Sequence, residues 1–377
     1  MIICRIVSQL DFGGVEERLR LTSLFFSKQR KFQLHILVLG NGGYVADTLI
    51  ELGISVTILN KEVKIPNVSL IFSIKQFLHK YRPNIVHTSG SEANFHGIIA
   101  AKLSNIPYII GEEIGFPNHD YRYRLIFKLV YFLADRVIAI SEAVKNRIVN
   151  LNEVSSNKVE VVYNPVNDVI SPQKAVSNDL ILFTKNSHDL VFVTTCRLVA
   201  VKNLRFFLDV FMKFVTIEKF SKSKLLIVGD GPEKEKLIHR VNELGITKNV
   251  TFLGFCSSIF PVLGKADVFV LPSLSEGFSI SLVEAMLNNL VVISTNVGGP
   301  SEIVTHGYNG FLVDPKSEKQ WLETLKSVFN LSLKNKAVIG NRAYERAKFF
   351  SLGNYGQHLI RLYTTYNKNS NTACGEN

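Results

Sequence analysis

Two carboxylates bracket a strand-to-helix turn in the segment Ala266-Asp-Val-Phe-Val-Leu-Pro-Ser-Leu-Ser-Glu-Gly-Phe-Ser-Ile-Ser-Leu-Val-Glu-Ala285. An apolar strand delivers Glu276 into a short loop. Gly277, Phe278, Ser279 and Ile280 follow, and a helical pattern then carries Glu284. Carboxylates accept hydrogen bonds from hydroxyls, and the N–H groups at a helix start attract anions. Together they suit a ligand that has both hydroxyls and phosphates, which points to a nucleotide sugar. Ser281-Leu-Val-Glu284 also fits a capping box, in which Glu284 would only close the helix.

Basic residues that could meet such a ligand, Arg197 and Lys202, follow an earlier apolar run. A guanidinium plus an ammonium can balance a departing diphosphate without a metal. The plain alternative is two solvated surface charges. Gly13-Gly14 follows the first apolar run and precedes a helical pattern from Val15. That predicts amides at a helix N-terminus, or else a simple tight turn. Gly229-Asp-Gly231 follows another run, but Lys234 stands where a dinucleotide fingerprint needs its third glycine. No nicotinamide cofactor is expected. Pro300 suits a first helical position, so Glu302 could either favour that helix end or reach a ligand.

These residues need elements to hold them. Continuous β-branched runs predict parallel strands buried on both faces. In the first half they are Ile2–Val7, His35–Leu39, Ser55–Leu59, Ile85–His87, Tyr108–Ile110, Arg136–Ile140 and Val159–Tyr163. Helical patterns such as Val15–Phe26, Ile71–Tyr81 and Phe95–Leu103 separate them. A second series runs Asp189–Thr195, Lys224–Val228, Val250–Phe252, Val268–Leu271, Val291–Ser294 and Phe311–Val313. The polar stretch between the two series reads as a linker. The expected organisation is therefore α/β, with two doubly wound Rossmann-like domains facing a cleft. The boundaries are 1–165, a linker 166–188, and 189–350, followed by a C-terminal helix and polar tail, 351–377, with the helix packing on either domain. The last helical stretch is expected from Tyr344 to about Tyr366.

At 377 residues the chain is long enough for two domains, and its +11 net charge is spread over both rather than held in a tail. That balance suits phosphorylated ligands or an anionic membrane surface. Cys4, Cys196, Cys256 and Cys374 form no Cys-x-x-Cys pair, so neither a zinc site nor a redox dithiol is expected. Scattered cysteines fit a reducing compartment. Met1–Leu10 contains Arg5 and reads as a strand rather than a signal peptide. Leu125–Ile140 is apolar, but it is broken by Lys128, Asp135 and Arg136 and is too short to span a bilayer. A cytoplasmic protein is expected, peripheral at most on the inner face of the cell membrane.

Several segments in order carry a family resemblance: Thr195-Cys-Arg-Leu-Val-Ala-Val-Lys-Asn203, Leu226-Ile-Val-Gly-Asp-Gly-Pro232, Val250-Thr-Phe-Leu-Gly254, Val297-Gly-Gly-Pro-Ser-Glu302 and Asn309-Gly-Phe-Leu-Val-Asp314. With the Glu276/Glu284 pair, the chain resembles a retaining glycosyltransferase of the GT-B fold, close to glycosyltransferase family 4. The resemblance implies that Glu276 contacts the donor sugar, that the Gly277–Ile280 backbone meets sugar and phosphate, and that Glu284 holds the ribose. It assigns Arg197 and Lys202 to the diphosphate and places the Gly13-Gly14 loop near donor and acceptor. It implies no metal and no cofactor, only a nucleotide-diphosphate sugar as donor. Many relatives place a His after the strand matching Tyr108–Ile110, facing the reacting sugar. Glu113 occupies that position here, and an ordinary carboxyl titrates about two units lower than imidazole. Glu112, Glu113 and His119 are the candidates in that loop. His87 reads as a satisfied, partly buried imidazole.

The implied reaction is transfer of a sugar to a hydroxyl of a glycan or lipid-linked acceptor, in cell-surface polysaccharide, lipopolysaccharide or lipid-linked glycan synthesis. A nucleotide-sugar 2-epimerase and a non-catalytic sugar-binding protein are the rivals. Tyr121–Leu133 interleaves aromatic and basic residues, as do Phe25, Phe26, Lys28, Arg30 and Lys31. Such stretches suit an anionic lipid surface, or are ordinary helices with aromatics in the core. No nucleic-acid partner is expected.

Overall fold

A parallel sheet buries both of its faces, so its strands must be apolar on both. The computed structural model describes residues 1–11, 13–167, 190–256 and 258–372. Among these residues the first series of apolar runs forms β1 (Ile2–Val7), β2 (Gln33–Val38), β3 (Ser55–Ile58), β4 (Ile85–Ser89), β5 (Tyr108–Glu113), β6 (Arg136–Ala139) and β7 (Val159–Val161). The second forms β8 (Val191–Thr195), β9 (Lys224–Val228), β10 (Val250–Gly254), β11 (Val268–Leu271), β12 (Val291–Thr295) and β13 (Phe311–Val313). The expected linker lies, beyond Asn167, outside the described residues, as do Asp189 and Cys374.

Every strand pairing is parallel. The first sheet runs β3-β2-β1-β4-β5-β6-β7 and the second β10-β9-β8-β11-β12-β13. In both, the winding direction reverses beside the first strand, between β1 and β4 and between β8 and β11. Loops leaving two such strands diverge, and ligands bind in the crevice they leave at the carboxyl ends. The chain divides into two compact units, Met1–Pro165 with Ser351–Asn377, and Val166–Phe350.

The first unit closes over Ile3, Phe26, Ile85, Ile110 and Ile138, and the C-terminal helix Leu352–Thr372 adds Tyr355, Leu359, Leu362 and Tyr363 to that same cluster. Phe25 packs beside it, so the Phe25/Phe26 group belongs to the core. The second core is rich in phenylalanine: Phe192, Phe207, Phe211 and Phe214, with Trp321 against Phe207. The expected single helix from Tyr344 is instead two. One helix ends at Ala347, the turn Lys348–Phe350 follows, and the next begins at Leu352. Burial of Phe350 beneath the Arg346 guanidinium fixes that break. An aspartate before β6 and another before β11 do the same job. Asp135 accepts the N–H of Ile109, and Asp267 that of Val191, each capping the start of the neighbouring strand.

Candidate active site

In the second unit the loops leaving β8, β9, β11 and β12 are stitched together by backbone hydrogen bonds. Leu198 N–H donates to Asp230 O (2.8 Å), Leu274 N–H to Val201 O (2.8 Å), and Gly299 N–H to Glu276 O (3.0 Å). Two glycines make these approaches possible. Gly229 sits at φ +129°, where a Cβ would run into the Cys196 carbonyl, and a Cβ on Gly299 would run into the Gly277 carbonyl. Conformation and close contact thus explain why the motif turns carry glycine.

The stitched loops bring Lys202 and Glu276 together. Lys202 Nζ donates to Glu276 Oε2 at 2.6 Å, and Ser273 Oγ donates to the same oxygen at 3.1 Å. Both charged side chains are largely sheltered. The pair spans the point where the winding of the second sheet reverses. Asn203, in the left-handed region at φ 56°, ends the Lys202 turn and anchors it through its side chain to Pro315 O. Arg197 lies in the same β8 loop with its side chain exposed.

Beyond Glu276 the chain enters the helix Ile280–Leu287. Its N-cap is Ser279, whose hydroxyl accepts the N–H of Leu282. The capping box at Ser281–Glu284 is therefore not formed: Ser281 is already inside the helix, so Glu284 is not needed as a cap partner. Phe278 is buried against Phe350, and Ser279 is buried as the cap. Their side chains are structural, and what the turn can offer a ligand is backbone. Pro300 opens a short helix, as expected, and the backbone carbonyl of Glu302 accepts from Arg346. Gly13 and Gly14 lead into the helix Gly14–Ser27, and Gly13 caps it without a side chain.

The first unit corrects one expectation. Glu112 and Glu113 are not in a loop: β5 continues through both, paired with Ile138 and Ala139 of β6. Glu112 is fully buried in a charged network. Arg18 donates two bonds to it (2.7 and 2.8 Å), Arg5 one (3.0 Å) and Ser89 Oγ one (2.6 Å). Burial alone would raise its pKa, but Arg18, Arg5 and His87 outweigh burial and hold it well below the usual carboxylate range. His87 is fully rather than partly buried. Burial and the neighbouring Arg5 push it down to about 4, so at neutral pH it is an uncharged ring bonded to Tyr363. Glu112 and His87 are structural groups.

Glu113 is only 3% exposed, and its Oε2 accepts from Tyr131 OH at 2.7 Å. Burial pushes it up to about 7, against the opposing effects of Tyr131 and His119. Burial thus brings this carboxyl into the range of an ordinary imidazole. His119 lies further along, with its ring stacked on Phe127 (4.4 Å) and Nδ1 2.7 Å from Glu153 Oε1. Burial would lower its pKa. The bond to Glu153 and the charges of Glu153, Glu113 and Asp120 raise it instead. His119 lines a cavity of about 740 Å³ together with Lys64, Glu92, Asn118, Asp120 and Tyr123. Glu153 and Tyr131 complete this arrangement and were missed in the sequence. Glu153 sits in an ordinary polar turn, and Tyr131 reads as core.

Among the described residues, no group of three or more His, Cys, Asp or Glu side chains could hold a metal ion, and no helix is long and apolar enough to cross a membrane.

Two parallel Rossmann-like units, with charged loops at the winding reversal of the second, define a GT-B glycosyltransferase. Glycosyltransferase Family 4 matches residues 12–169 and Glycosyl transferases group 1 matches 182–346, and the chain belongs to this family. It is 28% identical over 292 residues (71% of this chain, 75% of the relative) to the Escherichia coli UDP-Gal:alpha-D-GlcNAc-diphosphoundecaprenol alpha-1,3-galactosyltransferase. It is 28% identical over 306 residues (78% and 79%) to the Staphylococcus aureus capsular polysaccharide biosynthesis glycosyltransferase CapM. Among solved structures, Anabaena HepE in complex with UDP superposes with a TM-score of 0.80 at 20% identity, covering 97% of this chain and 100% of that one. The chain is an enzyme of the glycosyltransferase class.

Proposed function

We propose that this enzyme transfers a sugar, with retained anomeric configuration, from a uridine diphosphate sugar to a hydroxyl of a lipid-linked glycan, working peripherally at the inner face of the cell membrane in surface-polysaccharide or lipid-linked glycan synthesis. The observation that carries the reading is the Lys202–Glu276 contact across the β8/β11 reversal. Each partner has a second partner in such a donor. The ammonium can move to the diphosphate, and the released carboxylate can accept from sugar hydroxyls. Arg197 adds a second cation from the same loop, the turn Gly277–Ile280 offers backbone N–H groups, and Glu284 accepts from the ribose. The uridine base and the lipid-linked acceptor rest on the Escherichia coli relative's name, and the HepE complex supports the base.

The chemistry assigned is front-face displacement. The bond from the anomeric carbon to the phosphate oxygen breaks, and the acceptor oxygen bonds to the same face. The acceptor proton passes to the departing phosphate oxygen. Lys202 and Arg197 stabilise the charge that develops on the diphosphate. The first unit supplies the acceptor, with His119 directed to it from the cavity wall and Glu113 acting on His119 from behind.

A thermal-shift panel of UDP-, GDP-, ADP- and TDP-sugars tests the donor, because a ligand bound to the folded state raises Tm. A rise with UDP-sugars that is lost in Lys202→Ala supports the reading. An equal rise in that variant, or none with any donor, overturns it.

A further inference from the structure

We infer that the outward face of the helix Tyr121–Leu133 is a docking surface that lies in the plane of an anionic phospholipid bilayer. This deepens the proposal that the enzyme works at the membrane and rests on it.

The helix is apolar on two opposite sides. Phe127, Val130 and Tyr131 are buried against the first unit. On the other side Tyr121 is 72% exposed, Leu125 51%, Leu129 63% and Phe132 76%. With 3.6 residues per turn, positions 121, 125, 129 and 132 form one stripe along the helix. The core already has its share of this helix, so the stripe serves something else. Scattered exposed apolar residues are ordinary, but a continuous stripe is a contact surface.

Charge identifies the occupant. Helical spacing places Arg124 and Lys128 along one edge of the stripe and Arg122 along the other, and all three are exposed. At the C-terminal end Lys158 Nζ sits 5.8 Å from the Phe132 ring centroid and donates to Phe132 O. Asp135 attracts that ammonium, while Arg136 and Lys102 act on it as like charges, two cations against one acid. The acids at the two ends are already engaged by backbone. Asp120 caps the helix through the N–H of Tyr123, and Asp135 takes the N–H of Ile109. An apolar stripe edged by cations on both sides is the pattern of a helix lying in the headgroup region, with aromatic and aliphatic side chains inserted and Lys/Arg meeting phosphates. A second copy of this face would set cation against cation.

The test is co-sedimentation of the full chain with phosphatidylcholine vesicles, with and without phosphatidylglycerol, in the absence of donor and acceptor. The expected result is binding that needs phosphatidylglycerol, weakens with salt, and falls about tenfold or more in Leu125→Glu/Leu129→Glu/Phe132→Glu and in Arg122→Glu/Arg124→Glu/Lys128→Glu. All six positions are exposed, and an unchanged Tm shows that the fold survives. Should the apolar triple variant misfold, the charge-reversal variant decides alone. Absence of vesicle binding, or equal binding by the charge-reversal variant, overturns the inference. So does a solution dimer that these substitutions split. Transfer to a water-soluble acceptor is read separately, so a failed vesicle assay leaves the reaction standing, and failed transfer leaves the surface standing.

Discussion

Lys202 and Glu276 lie 74 positions apart in the chain, yet their charged atoms meet at 2.6 Å. Their strands, β8 and β11, are neighbours only because the sheet reverses its winding there. The pair is locally neutral, so two charges can be sheltered together before a ligand arrives. A diphosphate sugar offers each a replacement partner, and the exchange couples donor binding to exposure of the carboxylate.

Lys202→Ala and Arg197→Ala should each lower kcat at least about 100-fold, the scale of losing one preorganised charge contact in the transition state. Tm should barely move, because Arg197 is exposed and the Lys202 pair is not deeply buried. Initial rates over a range of UDP-sugar concentrations, which separate kcat from KM, check this. Near-normal rates in both variants would remove the diphosphate role from this loop.

Glu276 and Glu284 should separate by what they lose. Glu276→Ala is expected to abolish transfer while UDP alone still binds. Glu284→Ala should weaken UDP itself by roughly tenfold or more, the cost of about one charge-assisted hydrogen bond. Calorimetric titration with UDP, beside transfer rates, reads both. The reverse pattern would mean the two roles are exchanged.

Much of this was legible because the signals are local. Strand runs, the Gly229 turn and the Glu276 loop announce themselves within a few residues, and a parallel sheet makes its strands apolar throughout. The end of β5 was not legible. Gly111-Glu-Glu113 looks like the start of a loop, since a carboxylate inside a strand is costly unless paired. Its partners Arg5, Arg18 and Ser89 come from three other elements, and no local pattern brings them together. The Ser281–Glu284 capping box, the alternative weighed against a ligand role for Glu284, does not form although its motif is present, because Ser279, two positions earlier, takes the cap.

Glu112→Ala should destabilise the first unit by roughly 3–5 kcal/mol, because it leaves the buried Arg5 and Arg18 without their counter-charge. Chemical denaturation measures it. The folded pKa of Glu112 is depressed, so the stability it contributes is present at neutral pH and is lost progressively as pH falls from the ordinary carboxyl value of 4.5 down through the folded pKa. A loss under about 1 kcal/mol would fit an exposed ion pair and contradict the buried network.

Glu113 and His87 make opposite demands over the same pH window. The folded pKa of Glu113 is raised from 4.5 to about 7, so its contribution is present below 4.5 and is lost as pH rises to about 7. That of His87 is lowered from 6.5 to about 4, so the unfolded chain binds the extra proton and stability rises between about 4 and 6.5. Each shift amounts to about 3 kcal/mol, and the two slopes largely cancel in the wild type. Glu113→Gln removes one of them. The variant should keep the Tyr131 contact, match the wild type near pH 4, and gain roughly 1–3 kcal/mol over it by pH 8. Denaturation of both proteins across this range gives the difference directly. If it does not grow with pH, Glu113 is ionised in the folded protein, and its charge then acts on His119 in full at neutral pH.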